Sequence, residues 1–184
     1  IDCPYTDLTS YQEKISNINI ERRYLVIRKL GLSITLLKDA FGENSKWKWS
    51  FVELEGRYAT VAKNFIDMKT AGRDFMDPRS FDYETTVLYI RLITKLLNSA
   101  ATSYRDKYEL ATRRIDDMRN AIKYLLALHK LHNILGQSDQ AQEVKKKALI
   151  WKGRVPRVSV ALATHNATAI GSVQPIAGII SRFI

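Results

Sequence analysis

From Phe81 to Leu135 the chain contains neither proline nor glycine, and no other stretch limits its fold as strongly. Within it Val87, Ile90, Thr94, Leu97, Ala101, Tyr104, Tyr108, Ala111, Ile115, Met118, Ile122, Leu125, His129 and His132 recur at alternating steps of three and four. That spacing keeps side chains on one face of a helix and makes a seam for neighbouring helices. The flanks carry the charge, among them Arg105, Asp106, Lys107, Arg113, Arg114, Asp116 and Asp117. The expectation is an all-α fold: an elongated three- to four-helix bundle with one long helix and an extended basic and apolar C-terminal segment.

The remaining helices follow from caps and breakers. Residues 1–8 read as an irregular lead-in, because Pro4 interrupts any early helix. Ser10-Tyr11-Gln12-Glu13 has the spacing of a capping box. A first helix then reaches Phe41, with Ile15, Ile18, Leu25, Leu32 and Leu36 as its apolar face. Gly42 to Ser45 end it and cap a second, from Lys46 to Met68, whose apolar side holds Trp47, Phe51, Leu54, Tyr58, Val61, Phe65 and Met68. Arg73 to Asp77 reads as a loop in which Phe75 and Met76 plug the bundle. Ser80 or Asp82 starts the long helix, Asn98-Ser99 is where it would bend, and Gly136 stops it. A short helix from Ser138 to Trp151 folds back after a tight turn. The bundle thus spans residues 9–151, and residues 152–184 form an assembly tail.

Charge is unevenly placed. Of the net charge of +10, seven charges come from Lys145, Lys146, Lys147, Lys152, Arg154, Arg157 and Arg182, and no acid lies between Val144 and Ile184. A basic end on a nearly balanced body suits an anionic partner: nucleic acid, an acidic membrane surface or an acidic protein face. Lys145 to Arg157 is the first candidate for phosphate contact. Lys46-Trp47-Lys48-Trp49 is the second, since indoles stack bases and lysines hold phosphates. The simpler reading anchors both tryptophans in the core while the lysines reach water. Val158 to Ser181 carries no charge and is long enough to cross a bilayer. Its His165, Asn166, Gln174 and Pro175 are costly in hydrocarbon, so it is expected to pack on the bundle or a neighbouring subunit.

Catalytic patterns are not evident. His129 and His132 have a spacing that can place two imidazoles on one metal, yet no Glu-x-x-His motif accompanies them, and half-buried structural histidines are expected. The acid pairs Asp116-Asp117, Asp74 with Asp77 and Glu53 with Glu55 lack a histidine or cysteine placed for acid-base work. No phosphate-binding or nucleophile-elbow motif occurs. No catalytic residue, metal ligand or cofactor is therefore assigned, and Asn166-Ala167-Thr168 matters only for a secreted chain.

The chain opens Ile1-Asp2-Cys3-Pro4 without an initiator methionine. Signal-peptide cleavage, organelle import or polyprotein processing would each leave such an end, so virion, periplasm or exterior, and organelle all remain open. The expected function is that of a non-enzymatic structural subunit, a homo-oligomer or a part of a larger complex. Two alternatives stand beside it. One is a nucleic-acid-coating protein of the viral coat or nucleocapsid kind, the other a processed component associated with a membrane.

Overall fold

The computed structural model describes residues 15–42 and 45–154. Among them are six α-helices and no strand: α1 (Ile20–Phe41), α2 (Lys48–Asn64), α3 (Met68–Met76), α4 (Tyr83–Lys107), α5 (Ile115–Ile134) and α6 (Ser138–Arg154). The all-α class therefore holds. The lead-in, the Ser10 to Glu13 cap and residues 155–184 lie outside the described residues.

The uninterrupted long helix does not form. α4 runs through Asn98-Ser99 without a break, but at Tyr108–Thr112 the chain widens into a π-helical turn. Arg113 then adopts a left-handed conformation, φ 52°, with its N–H donating to the Tyr108 carbonyl at 3.0 Å. α5 leaves in the reverse sense and packs against α4. Side chains hold this turn without glycine or proline. The Thr112 hydroxyl donates to Asp117 Oδ2 at 2.6 Å and accepts from the Arg114 N–H at 3.3 Å. The Lys107 ammonium sits 2.6 Å from Glu53 Oε1 and 3.6 Å from Asp117 Oδ1. Folding back places Met118, Ala121 and Leu125 against Ala101 and Tyr104, where one straight helix would leave both sets short of partners.

The second expected helix also divides. α2 ends at Asn64, and Asp67 caps a separate α3 by accepting from the Lys69 N–H at 3.0 Å and the Thr70 hydroxyl at 2.6 Å. Most of the expected 73–77 loop is therefore helical. Phe75 packs on the core while Met76 stays exposed, so only one of the two plugs the bundle. At the far end of α5, Gly136 takes φ 67°. The Gln137 N–H reaches the His132 carbonyl at 2.9 Å and the Gly136 N–H that of Asn133 at 3.2 Å, closing a Schellman motif. That turn sends α6 back along α5.

Two apolar clusters result. The larger gathers Ile27, Tyr58, Ala59, Ala62, Ile66, Tyr89, Ile93, Leu97, Leu128 and Leu131, with the Tyr89 hydroxyl donating to the Ala62 carbonyl at 3.1 Å. The smaller joins α2, α4, α5 and α6 around Trp151. α1 is the least embedded helix. It touches α2 and α4 through Arg23, Ile27 and Ile34, and the Tyr58 hydroxyl donates to the Ile27 carbonyl at 2.9 Å. Gly31 permits that approach, because a Cβ there would strike the Tyr58 hydroxyl. The expected inner face is thus corrected in its greater part. Ile15 is buried, but Leu25, Leu32 and Leu36 point away from the bundle, since Ile27 and Ile34 occupy the opposite side of the helix.

Candidate functional site

The basic run lies on α6, and helical geometry distributes it. Consecutive residues are turned by about 100°, so Lys145 and Lys152 share one flank, Lys147 and Arg154 the other, and Lys146 faces outward. Ala141, Ala148 and Trp151 occupy the inner side. The Lys147 ammonium stands 5.1 Å from the centre of the Trp151 ring and 3.5 Å from Asn98 Oδ1. Arg154 pairs with Glu109 at 3.7 Å. Lys145, Lys146 and Lys152 are exposed, beside the exposed Leu149 and Ile150. Arg157 lies outside the described residues. The run is a basic sleeve around a helix rather than a single pocket.

The Lys-Trp stretch starts α2 at one end of the bundle. Trp49 packs on the smaller cluster, while Trp47 is half exposed and edge-on to Phe41 at 6.5 Å. Each lysine lies over its neighbour's indole, Lys46 at 5.3 Å from Trp47 and Lys48 at 5.4 Å from Trp49. Lys38 and Glu55, paired at 2.7 Å, line a cleft beside them together with Trp49, Asp106 and Leu110. The two candidate cationic segments therefore occupy different elements, the start of α2 and α6.

The histidines serve the α5–α6 corner. His129 Nδ1 lies 2.9 Å from the Ala141 carbonyl and His132 Nδ1 2.7 Å from Gln137 Oε1. Asn133 Nδ2 approaches His129 Nε2 at 3.1 Å. Among the described residues no group of three His, Cys, Asp or Glu is placed to hold a metal ion, and no helix is long and apolar enough to cross a membrane.

Among the described residues, Lys63 is one of three cations, with Arg23 and Lys107, whose burial pattern reading missed. It lies on α2 among Ala62, Asn64 and other buried residues. Burial, and then the charge of Lys130, push its ammonium down to about 8. As pH rises past 8 the folded chain gives up this proton, whereas the unfolded side chain keeps it to about 10.4. The unfolded state then binds more protons and stability climbs with pH. Burial raises the Tyr89 and Tyr104 phenols, which reverses the sign above pH 10. The thermal unfolding midpoint is expected to rise between pH 8 and about 9.5 and to fall above 10. Lys63→Met is expected to flatten the rise, a difference of about 1–2 kcal/mol. A wild-type profile that is flat or falling from pH 8 would contradict this.

The fold and these surfaces define an all-helical bundle with a basic helix on one side and a largely apolar, lightly held helix on another. No curated protein and no solved structure matches the chain. A family model does, over residues 1–158: the chain belongs to the TP0443 family. The match takes in every described residue and ends before most of the uncharged C-terminal stretch.

Proposed function

We propose that this chain is a non-enzymatic structural subunit that assembles with copies of itself or with other chains. The observation that carries the reading is α1. Leu25, Val26, Leu30, Leu32, Leu36, Leu37 and Phe41 are all substantially exposed on this one helix of 22 residues. A large exposed apolar surface ordinarily marks an interaction site. Leu149 and Ile150 on α6 add a second sticky patch.

A second reading, a nucleic-acid-coating protein, draws on the exposed and acid-free set Lys145, Lys146 and Lys152. One measurement addresses both. Light scattering across a range of concentrations and salt, with the absorbance ratio recorded alongside, gives mass and nucleic-acid content together. A mass well above the 21.1 kDa of one chain, free of nucleic acid and insensitive to salt, is expected. Copurified nucleic acid whose loss with salt dissolves the assembly would promote the second reading. A single chain at every concentration would remove self-assembly.

A further inference from the structure

We propose that α1 pairs antiparallel with α1 of a second copy of the chain, placing Arg22 of each copy against Asp39 of the other. This rests on the assembly reading and names its partner. The outer face of α1 presents Arg22, Leu25, Lys29, Leu32, Leu36 and Asp39, at steps of three, four, three, four and three. That is the seam pattern of a two-stranded coiled coil. All six side chains are exposed, with Leu25 at 45% and Leu32 and Leu36 at 60%. They lie opposite Ile27 and Ile34, the residues that hold α1 to its own bundle. The inner contact therefore leaves the seam available.

Charge selects the partner and its direction. In a symmetric antiparallel pair centred between Leu30 and Gly31, Leu25 meets Leu36, Lys29 packs beside Leu32, and Arg22 meets Asp39. A twofold axis repeats each contact, as isologous interfaces require. In a parallel pair Arg22 would meet Arg22, Lys29 would meet Lys29, and Asp39 would meet Asp39, three like-charge contacts that oppose it. Arg22 and Asp39 stand about 25 Å apart at 1.5 Å per residue, one at each end of the seam. Neither side chain takes part in an ion pair with another described residue. Lys29 keeps its ammonium in water and lays its stem along the seam. Val26 flanks the seam and widens the apolar contact, while Leu30 and Leu37 lie further round the helix, towards Ile27 and Ile34.

The test uses the full chain in sedimentation equilibrium. Arg22→Asp and Asp39→Arg are each expected to weaken dimerisation about tenfold, and the two together to restore it to within about threefold. Far-UV circular dichroism checks that these exposed substitutions leave the fold intact. In a Cys3→Ser background, mixing an Arg22→Cys chain with an Asp39→Cys chain is expected to give a disulfide-linked pair on mild oxidation, whereas either chain alone gives far less. An assembly that ignores every charge reversal and yields no cross-link overturns the pairing while the assembly reading stands. A wild-type chain that sediments as a monomer throughout overturns both.

Discussion

Trp151→Ala is expected to cost about 3–5 kcal/mol of folding free energy, the range for truncating a large buried aromatic. Trp151 is 4% exposed and sits among Val52, Ala101, Tyr104, Met118, Ala121, Leu125 and Ala148, so one side chain joins four helices. The Arg105 guanidinium and the Lys147 ammonium lie 5.3 and 5.1 Å from its ring centre, roofing it with cations. α6 meets the bundle through Ala141, Val144, Ala148 and Trp151, of which only the last is large. Removing the indole therefore frees the C-terminal half of α6, the segment that carries the basic run. Urea unfolding is expected to show an earlier midpoint. Amide exchange over 145–154 is expected to quicken more than over α5, because the loss is local first. A change under about 1 kcal/mol would mean that α6 is held by other contacts.

What could be read from residue order alone depended on how many answers a pattern allowed. In α4 and α5 the step of three and four selected Ile90, Leu97, Ala101, Tyr104, Met118 and Leu125 correctly, because burial follows periodicity. The reversal between them escaped, because Tyr108 and Ala111 continue the seam in register and nothing there is glycine or proline. Its mark was polar: Thr112 followed by Asp116-Asp117, a helix start with acids in its first turn. In α1 the ambiguity was different. Leu25, Leu32 and Leu36 and the pair Ile27 and Ile34 are equally good apolar stripes, and order alone does not say which one the chain's own bundle takes. The cationic run shows a third limit. Neighbours in sequence are about 100° apart on a helix, so an acid-free stretch predicts charge but not a face. Lys63, between Ala62 and Asn64, left no signal, since a lone lysine on a helix reads as solvent-facing until packing encloses it.

Lys107→Ala is expected to be as damaging as the loss of Trp151, about 3–5 kcal/mol, because it strands a buried charge at the point where the long segment reverses. Lys107 is buried at the end of α4, and Asp117, at the start of α5, is nearly as enclosed. Their 3.6 Å separation links the two arms of the hairpin, and Thr112 donates to the same carboxylate at 2.6 Å. Without the ammonium, Asp117 keeps one neutral donor and loses its counter-charge. The closer partner, Glu53 at 2.6 Å, matters less: its side chain is 55% exposed, so water replaces the contact cheaply. Glu53→Gln is therefore expected to cost under about 1 kcal/mol. Asp117→Asn added to Lys107→Ala is expected to recover about 1–3 kcal/mol of the damage, since it removes the stranded charge. Chemical denaturation of the wild type, Lys107→Ala, Asp117→Asn and the double variant measures this coupling directly, with Glu53→Gln as a fifth chain for comparison. A Glu53 effect larger than that of Asp117 would show that the shorter distance, not burial, governs the site. Trp151 of α6 packs in one cluster with Met118 and Ala121 at the start of α5, so loosening the turn also loosens the end of α6, whereas the solvent-accessible Glu109–Arg154 pair adds little. The hairpin thereby sets the position of the basic helix, and a defect at Lys107 is expected to reach any partner that α6 binds.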